Sequence, residues 1–320
     1  MTDMKYYIAA DGGGTKLQVI LYDEDLHIIS SAKMSGTNTI LRNTEDVLEE
    51  MRGLIRDLIP ENITEIESAD LCILKYEEEF LKLLRERCVV RSTTHWDEGM
   101  TPLLSSGVCY GIVAQAGTGS DAFLMQPWGK KLFGGWGFIL GDEGSGYDIG
   151  RQGLRACVLY GEGRGPATII YDILFEEWNL DKENYWGLIE KVYNCKEYKN
   201  LIASVARVVA KAAKEQDPVA IKIYEDAGHA MASQVLGVIT WNQGVWEGPI
   251  ITSGGAWKGC PKMFETFRED ILEKYPEAVI QYPIFEPVAG CAIGRQFEDG
   301  KFFEEFEEQI REEFTEFLYQ

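Results

Sequence analysis

Two short glycine turns, each set between strand-like stretches, constrain this chain more than any other feature. The first is Asp11-Gly12-Gly13-Gly14-Thr15-Lys16, entered from Tyr6–Ala10 and left through Leu17–Tyr22. The second is Gly117-Thr118-Gly119-Ser120, entered from Val108–Ala114 and left through Ala122–Met125. Each supplies consecutive backbone N–H groups without side-chain bulk, together with a hydroxyl from Thr15 or from Thr118 and Ser120, and such a turn can wrap phosphate oxygens. Neither is a G-x-x-x-x-G-K-[ST] loop, and neither opens a helix as a G-x-G-x-x-G turn does, so the P-loop and dinucleotide-fold readings fail. A glycine hairpin alone is usually only a tight turn. Two at matching places in a repeated β-β-β pattern are a stronger signal.

The rest of the chain supports that duplication. After the first turn come a strand at His27–Ala32 and a helix opened by Asn43-Thr44-Glu45-Asp46, with Val47, Met51, Leu54, Ile55 and Leu58 as its apolar stripe before Pro60. A strand at Ala69–Leu74, a charged helix at Glu77–Arg87 and a strand at Cys88–Thr93 complete a β-β-β-α-β-α-β unit. Near residue 108 the pattern restarts. It runs on through helical text at Asp142–Tyr160 and Tyr198–Ile239, a strand at Pro249–Thr252 and a small-residue helix at Val288–Arg295. Phe302, Phe306, Ile310, Phe314 and Leu318 recur every four residues among seven glutamates, which predicts a terminal amphipathic helix. The expected organisation is an N-terminal lobe at 1–107 and a C-terminal lobe at 108–301 facing it over a cleft, with the helix at 302–320 packing back on the first lobe.

Composition narrows the function classes. With 31 Lys and Arg against 52 Asp and Glu, the net charge of −21 disfavours nucleic acid and anionic membrane as partners. No apolar run approaches a membrane span. Met1–Lys5 lacks a basic region followed by an apolar one, so a cytoplasmic protein is expected. The seven cysteines form no C-x-x-C pair and the three histidines do not cluster, which argues against a disulfide framework, a structural zinc or an iron–sulfur site. Most tryptophans read as core or surface aromatics, and Arg151 is spaced to pair with Asp148.

Five segments in order carry a resemblance: Asp11–Lys16, Ala116–Ser120, Gly134-Gly-Trp-Gly-Phe-Ile-Leu-Gly-Asp-Glu-Gly-Ser145, Ser253-Gly-Gly-Ala256 and Pro287-Val-Ala-Gly290. Together they resemble the N-acetylglucosamine kinase group, the BadF/BadG-type branch of the actin, hexokinase and heat-shock-chaperone ATPase superfamily. The resemblance implies an α/β fold of two ribonuclease-H-like lobes around a central cleft. It implies ATP and Mg²⁺ as cofactors and an amino sugar phosphorylated on its C6 hydroxyl. Gly13, Gly14, Thr15 and Lys16 would form one phosphate loop, and Gly117, Thr118, Gly119 and Ser120 the other. Asp11 would hold Mg²⁺ through water, and Gly254, Gly255 and Ala256 would line the adenosine pocket. Asn38, Gly135, Trp136, Gly137 and Asp142 would contact sugar, with Asp97 as sugar contact and general base. A homodimer is common in that group.

Alternatives stay open at this point. Asp97 also reads as an N-cap for a helix starting near Glu98. Glu143 reads either as a second cleft acid or as a helix N-terminal carboxylate. The segment after Leu74 is shorter than is usual in the group, which leaves N-acetylglucosamine, N-acetylmuramic acid and glucosamine as candidate acceptors. An ATPase activator of a partner enzyme is the alternative from another class.

Overall fold

The computed structural model describes residues 4–13, 16–36, 43–184 and 186–319. In chain order the elements are β1 (Tyr6–Gly12), β2 (Lys16–Asp23), β3 (Ile28–Ser35), α1 (Thr44–Leu58), β4 (Glu65–Ile73), α2 (Glu77–Arg87), β5 (Val89–His95) and α3 (Thr101–Leu104). Then follow β6 (Gly111–Ala116), β7 (Ser120–Gln126), β8 (Gly129–Gly134), α4 (Gly137–Leu140), α5 (Gly146–Gly161), α6 (Ile169–Glu177), α7 (Gly187–Tyr193), α8 (Tyr198–Ser204), α9 (Ala206–Lys214) and α10 (Pro218–Trp241). The chain continues with β9 (Ile250–Ser253), α11 (Pro261–Lys274), β10 (Ile280–Gln281), α12 (Pro287–Glu298) and α13 (Phe303–Glu313).

The chain divides into two units, Met1–Cys109 with Tyr282–Gln320, and Tyr110–Gln281. Each is built on a five-stranded mixed sheet. The orders, β3-β2-β1-β4-β5 and β10-β9-β6-β7-β8, are the same order once each sheet is numbered from its own first strand. The directions match as well. β1 is antiparallel to β2 and parallel to β4, and β6 is antiparallel to β7 and parallel to β9. The α/β fold is therefore a duplicated sheet of ribonuclease-H-like order, with a glycine turn joining the first two strands of each copy.

In the first unit both faces of the sheet are covered, which is why its central strands read as near-continuous apolar text. Ile8, Ala10, Leu17 and Val19 face the stripes of α1 and α2. Tyr7, Ala9, Ile20 and Tyr22 face Val288, Ala289, Ala292 and Ile293 of α12, with Phe306, Ile310 and Phe314 from the terminal helix. The α1 reading holds to the residue: Asn43 caps it by accepting the Glu45 amide, and Val47, Met51, Leu54, Ile55 and Leu58 are buried.

The sequence reading drew the second lobe out to residue 301, whereas Tyr282–Gln320 lies with the first unit. The cause is α12, whose small residues allow a very close approach. A Cβ on Gly290 would stand 2.2 Å from the Thr101 carbonyl oxygen of α3. The terminal helix is also shorter than its repeat suggests, ending at Glu313 before a tight 3-10 turn at Thr315–Phe317.

In the second unit, α10 is a 24-residue helix capped by Asp217, whose carboxylate accepts the Val219 and Ala220 amides. Trp257, 1% exposed, donates its indole N–H to the Ala114 carbonyl at 3.0 Å, tying the segment after β9 to β6. No helix among the described residues is long and apolar enough to cross a membrane.

Candidate active site

Two groups of the expected site residues, Asp11 with Gly13 and Lys16, and Gly117 to Ser120, fall at the same place in each sheet, around the turn that follows its first strand. Gly14, Thr15 and Asn38 lie outside the described residues.

In the first unit Asp11 sits at the carboxyl end of β1, beside Cys72 of β4. It keeps some solvent contact, but the protein around it strips most of its hydration and lifts its pKa to about 6. Lys16 pulls that value down, Glu286 and Glu98 push it up, and a hydrogen bond from Cys72 favours the carboxylate. Burial likewise holds the Cys72 thiol well above its ordinary range, so it serves as a donor rather than a thiolate. The Gly13 amide donates to the Lys16 carbonyl at 2.9 Å and closes the turn. Lys16 Nζ donates to Glu286 Oε2 at 3.1 Å and to Gln18 Oε1 at 3.4 Å.

Asp97 follows β5 at the same end of the sheet. One carboxylate oxygen accepts the Gly99 amide at 3.0 Å, and its carbonyl accepts the Met100 and Thr101 amides. That bond closes a local turn and is not a helix cap: the N-cap of α3 is Met100, and the helix begins at Thr101. Asp97 and Glu98 both act electrostatically on Cys72, the residue bonded to Asp11, so β1 and β5 deliver two acids to one neighbourhood. His95 does not join them. Its Nδ1 pairs with Glu77, which also accepts the Ile73 amide, and the short segment after Leu74 turns through Tyr76 at φ +67°.

In the second unit the turn is held on several sides. The Gly146 and Tyr147 amides, at the N-terminus of α5, donate to the Gly117 and Thr118 carbonyls. The Ser120 hydroxyl donates to the Glu143 carbonyl at 2.7 Å, and Gln234 donates to both. Gly254, at φ +102°, brings the turn after β9 so close that a Cβ there would lie 2.4 Å from the Ala116 carbonyl oxygen. The second turn, Gly254 and α5 are thus one packed cluster.

Asp142 belongs to the same cluster. It is 3% exposed and adopts φ +60°, uncommon for a residue with a side chain. Its carboxylate lies over Gly119, accepts the Ser120 amide at 3.4 Å and pairs with Lys199 at 3.1 Å. Lys199 in turn stands 5.3 Å from the Phe138 ring centroid. Gly135 and Gly137 flank Trp136 with φ of +68° and +80°, Trp136 is 74% exposed, and the Gly135 amide donates to the Ser120 carbonyl at 3.0 Å. The Glu143 side chain is exposed. Asp148 takes the α5 N-terminal position, accepting the Gly144 amide and pairing with Arg151.

Sequence reasoning missed Glu286 and Lys199. Each is a long-range partner of a turn and carries no local motif. The only signal for Glu286 was its position one residue ahead of Pro287, and Lys199 had none.

Among the described residues no three His, Cys, Asp or Glu converge as a metal-holding group. A magnesium ion keeps several waters and commonly uses one or two carboxylates plus substrate phosphates. Asp11 has the chemistry for it, a hard oxygen donor crowded by Glu286 and Glu98 and offset by one ammonium.

Comparison with known proteins finds relatives over most of the chain. The N-acetylmuramic acid/N-acetylglucosamine kinase of Clostridium acetobutylicum is 27% identical over 297 residues, covering 87% of this chain and 94% of the relative. The N-acetyl-D-glucosamine kinase of Dictyostelium discoideum is 26% identical over 313 residues, covering 90% and 96%. A solved structure from Porphyromonas gingivalis, provisionally named an N-acetylglucosamine kinase, shares the fold at a TM-score of 0.67 and 17% identity, covering 93% of this chain and all of the other. The family match runs from residue 10 to residue 293, through both glycine turns, Asp97, Asp142 and Gly254, and the chain belongs to the BadF/BadG/BcrA/BcrD ATPase family.

Proposed function

We propose that this protein is an ATP-dependent amino-sugar kinase that phosphorylates the C6 hydroxyl of N-acetylglucosamine or a close relative. The observation that carries the reading is the pair of glycine turns at equivalent places in a duplicated sheet, each with a carboxylate and a lysine beside it. Each such turn suits phosphoryl oxygens, since backbone N–H groups and ammonium donors are their usual partners. Kinase names among full-length relatives support the same reading.

In this reading the acceptor hydroxyl surrenders its proton to the Asp97 carboxylate as its oxygen attacks the γ-phosphorus. The bond between the γ-phosphorus and the bridging oxygen breaks, leaving ADP and a sugar phosphate. Asp97 has one oxygen fixed by the Gly99 amide, so its orientation is set before substrate arrives. Gly13, Gly14, Thr15 and Lys16 serve one stretch of the phosphate chain and Gly117–Ser120 the other, while Gly254, Gly255 and Ala256 receive the adenosine. Asp11 would hold Mg²⁺ through water, and that ion would supply neutralisation of charge on the phosphates.

Asn38, Gly135, Trp136, Gly137 and Asp142 are assigned to the sugar. An exposed indole offers a flat wall to the apolar face of a pyranose, and a carboxylate fixed by Lys199 offers a hydroxyl or amide acceptor. The dual name of the Clostridium relative makes N-acetylmuramic acid the second acceptor to test.

The test is ADP release from Mg-ATP with N-acetylglucosamine, N-acetylmuramic acid, glucosamine, N-acetylmannosamine and glucose in parallel, the phosphosugar being confirmed by mass. Sugar-dependent release ranks the acceptors. ATP binding without release on any of them would overturn the kinase reading and favour an ATPase that acts on a partner.

A further inference from the structure

The residue that places the first phosphate turn's lysine comes from the far end of the chain. Lys16 Nζ lies 3.1 Å from Glu286 Oε2 and 3.4 Å from Gln18 Oε1. An ammonium has three donors in fixed tetrahedral disposition, so two acceptors held by the protein aim the third. Gln18 is held by β2, where it pairs with Asp11 across the hairpin.

Glu286 is held more firmly still. It occupies the N-cap position of α12, just ahead of Pro287. Its amide donates to the Phe317 carbonyl at 2.7 Å, the Phe285 amide to the Ser105 carbonyl at 3.1 Å, and the Tyr319 amide to the Ile284 carbonyl at 3.0 Å. Phe285, fully buried, bridges to Leu318. The extended stretch at Ile284–Glu286 is thus clamped between the turn after α3 and the segment Phe317–Tyr319. The glutamate side chain is 18% exposed and the lysine 33%.

The geometry points to Glu286 as a positioning residue for nucleotide binding, one that acts through Lys16. A free lysine loses rotamer entropy when it is fixed, and a partner that already holds it removes part of that cost from phosphate binding. The inference rests on the nucleotide-binding reading of the first turn given above. The opposite effect is also conceivable on charge alone, because a carboxylate near a phosphate site repels its ligand, and the two effects predict opposite signs.

The experiment measures Mg-ADP and a non-hydrolysable Mg-ATP analogue by calorimetry, without sugar, on wild type, E286Q, K16M and the double variant. Steady-state kinetics run alongside. E286Q is expected to weaken nucleotide five- to tenfold and to raise KM for Mg-ATP likewise, leaving kcat and the sugar KM within twofold. In the K16M background the same replacement is expected to do nothing further, since its route is gone. Unchanged or tighter nucleotide binding by E286Q would overturn the inference. So would a loss that adds in full to that of K16M, which marks a general structural role. E286D, which keeps the charge but withdraws it from Lys16, is expected to weaken binding as well and carries the comparison should the glutamine variant fail to fold. A wild-type protein that binds no nucleotide removes the underlying reading and this inference together, whereas wild-type binding with an indifferent E286Q removes this inference alone.

Discussion

The two glycine turns occupy one topological position in two copies of one sheet, yet they obtain their charges differently. At the first, the cation is local: Lys16 ends the turn, Asp11 lies on the strand before it, and the acids Glu286 and Glu98 come from afar. At the second, both charges are imported, Asp142 from the segment before α5 and Lys199 from α8. The surroundings differ in the same sense. A Cβ on Gly13 would meet nothing within 4 Å among the described residues, whereas Gly119 and Gly254 are overlaid by a carboxylate and by a carbonyl oxygen. The duplicated backbone fixed where a phosphate loop could form, and the helices each copy acquired decided how it is charged and braced.

The largest expected difference between the two regions is catalytic. Asp97 stands with the first turn, and no counterpart is assigned at the second. D97N is expected to lower kcat by about a thousandfold, within the range typical of a lost general base, with nucleotide affinity nearly unchanged. Turnover near the wild-type rate in a stopped ADP-release assay would remove Asp97 from that role and leave it the local turn that its bond to Gly99 closes.

Next comes packing. Gly254→Ala places a methyl against the Ala116 carbonyl oxygen at a backbone angle that side chains rarely adopt, and is expected to cost about 3 kcal/mol or more in chemical denaturation. Gly13→Ala enters open space and is expected to cost less than about 1 kcal/mol while still hindering nucleotide. Equal destabilisation by the two would erase the contrast between a braced and an open turn.

That contrast also explains what the sequence could and could not tell. Strand, turn and helix were legible wherever the signal is local, as in the Asn43 cap and stripe of α1, the glycines of both turns and the acid at the end of β5. The boundary of the second unit was not, because α12 joins the first sheet through tertiary packing that small residues permit but do not announce. Glu286 and Lys199 were invisible for a related reason. A lysine on α8 looks like any solvated lysine until the fold sets it against a buried carboxylate 57 residues away.

Lys199 tests the imported pair. Lys199→Met would leave Asp142, 3% exposed, with the Ser120 amide as its remaining described donor at 3.4 Å. Losing one partner of a fully buried pair costs several kcal/mol, but Lys199 is itself 35% exposed, so a loss of about 2 kcal/mol in stability is expected. An accompanying rise in sugar KM without a rise in KM for Mg-ATP would place Asp142 on the acceptor side. The reverse split would place it with the second phosphate turn, against which it packs.

The smallest expected effect concerns pH. The first sheet buries a second carboxylate, Asp70 of β4, next to Ala9 of β1, whereas β9 at the matching place in the second sheet carries no acid. Burial raises the Asp70 pKa to about 6, while bonds from Thr94 and Ser68 and the charge of Arg295 pull it back. A carboxyl whose folded pKa lies above its unfolded value of 3.8 binds protons more tightly in the native state. Its contribution to stability is complete below that unfolded value and is lost as pH rises through the folded one, so the cost above pH 6 is about 3 kcal/mol. D70N removes the titration and keeps an acceptor for Ser68 or Thr94. It is therefore expected to flatten the fall in stability between about pH 4 and pH 6 and to raise the melting temperature at pH 7.5 by a few degrees. A variant with an unchanged slope would mean that Arg295 compensates the Asp70 charge in full. The first unit's sensitivity to pH would then rest on Asp11 at the glycine turn, where bound nucleotide should alter it and the second unit should show no parallel.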